Sequence, residues 1–184
     1  MLNTLALPRS RLNKRVLNST VTMAKTFDIV KVLEVSEQNL KSVAQTNLYR
    51  YWLELKADKA LPVWSDFNPG IVREALPDIM LFDALKETSF FVSITGDHCR
   101  ENFGIKASRS PLEEALPENA VADAKSRLTH VYNTRKPHLV TKQMRWESAT
   151  KRELQQQSYT VLFLPFEVEH DTIKLKILNS LYFC

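Results

Sequence analysis

The chain of 184 residues is 44% hydrophobic, enough for a sizeable core, and its length argues for one domain with an extension rather than two domains. Its formal net charge is +4, but residues 1–25 hold five basic and no acidic residues, so the remainder of the 25 basic and 21 acidic residues has a net charge near −1. This balance excludes the basic surface typical of a nucleic-acid-binding domain, and the longest apolar run, residues 161–166, is too short to cross a bilayer.

The two cysteines, Cys99 and Cys184, match no metal-binding spacing, and two cysteines do not make a disulfide framework. Reduced thiols are the simplest interpretation. We therefore expect a cytoplasmic protein that has neither a nucleic-acid partner nor a membrane partner.

Residues 1–25 form a basic leader that contains Arg, Ser and Thr and lacks a continuous apolar core. This composition argues against a secretory signal peptide. We predict that the leader is disordered or reflects a start site upstream of the true one at Met23, with a mitochondrial transit peptide as the alternative.

The leader is expected to be dispensable for folding. A chain that starts at Met23 should have a free energy of unfolding within about 0.5 kcal/mol of the full chain, because changes away from packed features usually have effects of this size. Thermal unfolding of both chains checks this, and a large drop in melting temperature would show that the leader packs on the domain.

An amphipathic helix is predicted over about 36–56, with Ser36 as its N-cap. Its apolar residues recur three and four positions apart, which indicates one buried stripe: Leu40, Val43, Ala44, Leu48, Tyr51, Trp52 and Leu55. Residues 26–35, before it, alternate weakly and suit either a short strand or the approach to the helix.

Two apolar segments, DIMLFDAL and SFFVSIT, flank a polar turn at Lys86-Glu87-Thr88 and predict a hairpin. The first is apolar on both faces, so we expect it to be covered on both sides. Short helical pieces follow between Asp97 and Asn119, with Gly104 placed to end one of them. A second clear helix is predicted over 117–135.

Three strands close the chain with no helix between them: HLVTKQMRW, SYTVLFLPFEVE and TIKLKILNSLYFC. Alternation in the first places Val140, Met144 and Trp146 on one side, and Lys142 and Arg145 are interpreted as solvent-facing. The element order predicts one α+β domain over 26–184. It would have a five-stranded antiparallel sheet, short helices on one face and a long N-terminal helix.

Several short motifs follow one another in a fixed order: Tyr51-Trp52, Leu61-Pro62, Asp66-Phe67-Asn68-Pro69, Leu76-Pro77, Ile79 to Asp83, Ile94-Thr95-Gly96, Phe103-Gly104, Leu112, Tyr132-Asn133-Thr134-Arg135-Lys136-Pro137 and Leu164-Pro165. In this order, the chain from Leu48 to Phe183 resembles the PAS-like domain family of alphaproteobacteria, single-domain cytosolic PAS proteins related to motility regulators. The resemblance implies a PAS-like fold.

The chain departs from the family pattern at two places. Ile105-Lys106-Ala107-Ser108 stands where the family has a second glycine after the Phe-Gly pair, and Asn179-Ser180 stands where its closing strand contains glycine. These departures are expected to change the details of the interior more than the fold.

No catalytic motif is present. His98 and Cys99 are adjacent, but no second metal ligand lies at a useful spacing, and neighbouring residues on a helical turn point apart. Asp66, Glu74, Asp78 and Asp83 are interpreted as solvated edges and caps. We predict that the chain is not an enzyme and holds no metal and no established cofactor.

The resemblance implies that the space between sheet and short helices is either packed solid or holds a small ligand. The candidate ligand-binding residues are Phe91, Phe103, Leu112, Leu128, Tyr132, Met144, Tyr159 and Phe163. The expected function is a sensor and signalling module that binds a small, largely apolar ligand of unknown identity and passes a conformational change to an unknown signalling protein.

Other hypotheses remain open. One is a ligand-free interaction module with a filled core, and another is a small enzyme on a related α+β fold. A homodimer through the N-terminal helix, using Tyr51 and Trp52 or their neighbours, is also considered.

Overall fold

The structure, a computed structural model, describes residues 25–105, 109–147, 153–170 and 172–183. Residues 1–24 of the predicted leader, and Cys184, lie outside the described residues. Within those ranges one antiparallel sheet has seven strands: β1 (Thr26–Leu33), β2 (Ile79–Lys86), β3 (Ser89–Thr95), β4 (Ser110–Pro111), β5 (His138–Glu147), β6 (Leu154–Phe166) and β7 (Leu175–Phe183). Their order across the sheet is β1-β5-β6-β7-β2-β3-β4.

The predicted count of five strands is wrong, because an additional strand lies at each edge of the sheet. The five predicted strands are β2, β3, β5, β6 and β7, and they form its contiguous centre. At one edge β1 pairs with β5, and at the other Phe91 of β3 pairs with Pro111 of β4. β1 is exposed along most of its length and β4 has only two residues, so neither has a clear hydrophobic pattern.

The helices are α1 (Val43–Lys56), α2 (Asp97–Phe103), α3 (Leu112–Ala115) and α4 (Glu118–Thr134). α1 is shorter than the predicted helix over 36–56, and β1 precedes it. Glu37–Asn39 forms a separate 3-10 turn, and the cap is Ser42 rather than Ser36. The Ser42 hydroxyl accepts a hydrogen bond from the backbone N–H of Gln45 at 3.0 Å, which satisfies a free donor in the first turn.

α1 packs on one face of the sheet and α4 on the other. On the α1 side, Thr160 of β6 donates to Oε1 of Gln45 at 3.1 Å, and the indole of Trp52 donates to the carbonyl oxygen of Pro165 at 2.9 Å. Tyr159 and Phe163, whose side chains alternate with that of Thr160 along β6, lie beneath α4. β6 is therefore buried on both faces, in agreement with its prediction as a central strand.

Tyr51 and Trp52 lie on the side of α1 that faces the sheet, where they are 7% and 2% exposed. They are therefore unavailable for contacts with a second copy of the chain. The placement of Val43 in the buried stripe was wrong, since it lies with Leu53 on the outer side of α1 and both are exposed. A dimer through this helix would have to use that outer side.

Candidate ligand cavity

A cavity of about 60 Å³ lies between the sheet and α4. The sheet, α2, α4 and the residue that follows α3 contribute its lining: Phe27, Met80, Phe82, Phe103, Leu116, Ala120, Asp123, Ala124, Leu128, Lys142, Tyr159, Val161, Phe163, Asn179 and Leu181. The volume exceeds the roughly 10–15 Å³ that one water needs, and it is less than half of the ~150 Å³ of an engineered cavity that holds benzene. The space therefore suits a very small molecule.

Four of the eight predicted ligand-binding residues line this cavity. Phe103 is contributed by α2, Leu128 by α4, and Tyr159 and Phe163 by β6. These residues are far apart in the sequence, and the packing of helices on the sheet brings them together.

The other four predicted residues lie outside the lining. Leu112 and Met144 are buried elsewhere in the core. Phe91 is half-buried beside β4, and Tyr132 is half-buried with the Arg135 guanidinium 5.1 Å from its ring centre. The roles of all eight as ligand contacts remain predictions.

The structure also places three polar residues in the lining that sequence reasoning missed: Asp123, Lys142 and Asn179. The interpretation of Lys142 as solvent-facing was wrong, since its residue is only 8% exposed. Side chains two residues apart on a strand share a face, so Lys142 belongs with Met144 and Trp146. Strict alternation along β5 would have predicted that Lys142 faces the interior.

Lys142 and Asp123 form an ion pair across the gap between β5 and α4. Arg127, one turn further along α4, has its Nε 3.8 Å from a carboxylate oxygen of Asp123. Desolvating two charges is costly, and an ion pair offsets that cost only while both partners are present. The lining therefore contains two charged side chains whose opposite charges cancel.

Tyr159 is buried, and its ring lies between two other aromatic rings. The ring of Phe103 meets it edge-on at 5.6 Å, and the ring of Phe183 stacks on it at 5.6 Å. Burial, with a smaller contribution from the negative charge of Asp123, raises the pKa of Tyr159. The hydroxyl consequently stays protonated and can both donate and accept a hydrogen bond.

Asn179 supplies an unpaired acceptor. The residue is 6% exposed, and its Oδ1 has no hydrogen-bond partner among the described residues. It lies opposite Phe163 of β6 and Met80 of β2 in the sheet. A buried polar atom without a partner costs about 1–3 kcal/mol, so a bound donor at this position would be stabilising.

The start of β1 borders the opening of the cavity, where the half-buried lining residues lie. The Lys25 ammonium donates to the carbonyl oxygen of Asn102 in α2 at 2.6 Å, and the amide of Asn119 in α4 donates to the carbonyl oxygen of Lys25. Phe27 lines the cavity, and its ring lies 5.6 Å from that of Phe103. This short segment therefore connects α2 with α4.

Comparison with protein families finds a match to a family model described as a PAS domain, over residues 40–180. The chain belongs to the PAS domain family. PAS domains are in general sensing and signalling modules and typically lack enzymatic activity. Searches of curated proteins and of solved structures give no match.

The match begins after β1, so the edge strand that borders the cavity opening lies outside the part that the PAS family model covers. Four of the five central strands, β7 up to Ser180, the helices α1 to α4 and all lining residues except Phe27 and Leu181 fall within it. No helix in the described part of this PAS domain has the length and apolar character needed to span a membrane.

His98 and Cys99 do not form a reactive pair in this PAS domain. Cys99 is fully buried, and burial, together with the charge of Asp78, raises the pKa of its thiol to about 12. The exposed His98 ring instead contacts a carboxylate oxygen of Asp78 at 3.0 Å. Across the described ranges, no group of three or more His, Cys, Asp or Glu side chains could hold a metal ion.

A larger hollow of about 630 Å³ lies on the opposite, α1-facing side of the sheet. It is lined mainly by apolar side chains, among them Trp64, Phe67, Ile79, Leu81 and Leu178, and by the exposed Ile94. The smaller cavity differs from this hollow in that an ion pair, a hydroxyl and an amide oxygen without a partner among the described residues line it among buried apolar groups.

A cluster of titratable groups lies beside the cavity, around the buried His138 at the start of β5. Burial, together with the nearby His130, Arg127 and Lys142, lowers the pKa of His138 to about 4, against an opposing effect of Asp123. The ring of His130 lies 4.6 Å away, and Nε2 of His138 has no partner among the described residues. His138 is therefore neutral in the folded chain at ordinary pH.

This burial predicts a loss of stability in mild acid. Above pH ~6.5 His138 is neutral in both the folded and the unfolded chain. Between that value and about 4 only the unfolded chain takes up the proton, so stability falls with falling pH, by at most about 1.4 kcal/mol per pH unit. Urea unfolding at several pH values should show a shallower fall in the His138→Leu variant. Equal falls in both chains would contradict the prediction.

Proposed function

We propose that this PAS domain is a cytoplasmic sensor that binds a small, largely apolar molecule in the cavity beneath α4 and passes a conformational change to a partner protein. The observation that carries the proposal is the cavity between the sheet and the helices, whose apolar lining also contains the Asp123–Lys142 ion pair, the Tyr159 hydroxyl and the Asn179 amide. PAS domains in general serve sensing and signalling. The narrower relation to alphaproteobacterial motility regulators is part of this proposal.

The mechanism is a shift between two arrangements of the helices over the sheet. A bound molecule would contact Phe103 of α2 and Leu128 of α4 on one side, and Tyr159 and Phe163 of β6 on the other. β6 pairs with neighbours on both sides, whereas α2 and α3 are a single turn or two in length. Short elements are the easier ones to displace, so a ligand that prefers one helix position would shift the population toward it.

The partner would recognise the outer surface of the helices over the cavity, since these are the elements that a ligand would move. Self-association is proposed through the outer side of α1, where Val43 is 72% exposed and Leu53 is also exposed. That side is separated from the cavity by the sheet, so a dimer would leave the sensing helices accessible.

A substitution that fills the cavity tests the proposal. Phe163 is buried in the lining, so Phe163→Trp should occupy most of the 60 Å³ space and abolish retention of a small molecule. Tyr132→Trp is the matched comparison: Tyr132 is a predicted ligand contact but lies outside the lining, so binding stays unchanged in this variant if the cavity itself holds the ligand.

Native mass spectrometry of the purified chains reads out both a retained molecule and the oligomeric state. We expect an added mass in the wild type and in Tyr132→Trp, and none in Phe163→Trp. The wild type should also take up added formamide when its retained molecule is removed. If no molecule is retained and formamide binding is equal in all three chains, the cavity is not a ligand site.

The alternative function is an interaction module with a filled interior. It is favoured by the small size of the cavity, about 60 Å³, which a single larger side chain would close. This hypothesis predicts that Phe163→Trp stabilises the fold without changing partner binding. The enzyme hypothesis gains no comparable support, because Asp123 is paired with Lys142 and the Cys99 thiol is buried.

A further inference from the structure

We propose that the ligand of this cavity is a small neutral molecule with a hydrogen-bond donor, such as a short alcohol or a primary amide, selected through the unpaired Oδ1 of Asn179. This inference rests on the proposed function, since it assumes that the cavity binds a ligand. It adds the chemical class of that ligand and the residue that distinguishes it from others of the same size.

The ligand is neutral because the lining provides no free charge to balance an ion. Its charged members, Asp123 and Lys142, are paired with each other. Arg127 is not among the lining residues and approaches the far side of the same pair, with its Nε 3.8 Å from Asp123. A carboxylate would have to lose its water while competing with Asp123 for these cations, which is costly in a buried site.

The ligand carries a donor because an acceptor, Oδ1 of Asn179, is the fully buried polar atom of the wall that has no partner among the described residues. Oδ1 of Asn179 has no hydrogen bond within the described residues, and an ether or a hydrocarbon would leave it unpaired. An O–H or N–H group would satisfy it. Sites that hydrogen-bond a ligand group discriminate against analogues lacking that group, because the buried partner is then left without a bond.

Asn179 rather than Tyr159 sets this preference. Asn179 lies opposite Phe163, four residues along β6 from Tyr159, so the two side chains start from separate backbone positions. Four residues of a strand correspond to about 13 Å. The Tyr159 hydroxyl can rotate to suit either a donor or an acceptor, which gives it little power to select.

The size of the space limits the ligand to about two to three non-hydrogen atoms, by proportion with benzene in its ~150 Å³ cavity. Two matched pairs of probes have that size. Ethanol and dimethyl ether are isomers, and only ethanol has a donor. Formamide and formate have the same shape, and only formamide is neutral.

The test is an NMR titration of the full chain with each probe, following the methyl groups of Leu128 and Leu181 in the cavity wall. In the wild type, ethanol should bind about five- to tenfold more tightly than dimethyl ether, and formamide more tightly than formate. Asn179→Leu, which removes the acceptor at similar volume, should abolish the preference for ethanol. Tyr159→Phe should keep it, and backbone amide spectra report whether each variant is folded.

The outcomes separate the two proposals. Equal affinity for ethanol and dimethyl ether, or for formamide and formate, would overturn this inference while leaving the cavity as a ligand site. Loss of the ethanol preference in Tyr159→Phe but not in Asn179→Leu would also overturn it. Failure of every probe to shift the two leucine methyl resonances would overturn the proposed function itself.

Discussion

The Trp52→Ala variant is expected to lose about 3–5 kcal/mol of unfolding free energy, a large fraction of the stability of a domain of this size. Trp52 is 2% exposed, and its ring stacks near that of Tyr49 with 6.4 Å between centres. Its removal would leave a void between α1 and the sheet. Urea unfolding followed by far-UV circular dichroism gives the difference between the two chains.

Trp52→Phe separates packing from hydrogen bonding. It keeps most of the apolar contact and removes the bond to the carbonyl oxygen of Pro165, so about 1–3 kcal/mol should be lost. A loss below about 1 kcal/mol in Trp52→Ala would mean that α1 is not docked as the structure shows.

Lys142→Met is expected to cost about 3 kcal/mol, near the lower end of the range for breaking a buried ion pair. The methionine fits the path of the lysine chain, but it leaves the carboxylate of Asp123 without its closest cation. Arg127, 3.8 Å away, remains to compensate in part, which is why the lower end applies.

The control is the double variant Lys142→Met with Asp123→Leu. Replacing both charges by apolar groups of similar volume is often neutral or stabilising, so the double variant should recover most of the loss. Denaturant unfolding of the wild type, both single variants and the double variant forms a complete cycle. If the double variant is as unstable as Lys142→Met, the ion pair with Asp123 does not account for the contribution of Lys142 to the free energy of unfolding.

Much of the fold follows from local patterns. The three-four spacing around Leu48 predicted the buried side of α1, and the apolar centre of β6 predicted a strand covered on both faces. Gly104 was placed at the end of a short helix, and it takes the left-handed conformation there, with φ 64°. Each of these features depends on neighbouring residues alone.

The edge strands and the start of α1 could not be predicted in the same way. β1 forms because β5 offers a free edge, although most of its own side chains are exposed. β4 consists of Ser110 and Pro111 and exists through its contact with β3. Pairing of this kind depends on a distant partner, which a weak local pattern does not reveal.

The cavity lining likewise combines residues that the sequence predicted with residues that it did not. Its apolar wall, including Phe103 and Phe163, was predicted because aromatic residues in central elements usually face the interior. Its polar members were missed, since a lysine on a strand is normally solvent-facing, and its burial depends on Asp123 from a helix elsewhere in the chain. Asn179 falls at one of the two departures from the family pattern, and the structure places it in the cavity wall.

The most direct test of the central claim is amide hydrogen exchange with and without formamide, in the wild type and in Phe163→Trp. Binding in the cavity should slow exchange in α2 and in α4, the helices that contribute Phe103 and Leu128 to its wall. The account predicts this protection in the wild type and its absence in Phe163→Trp. Unchanged exchange in the wild type, or equal protection in both chains, would contradict a ligand-coupled movement of these helices.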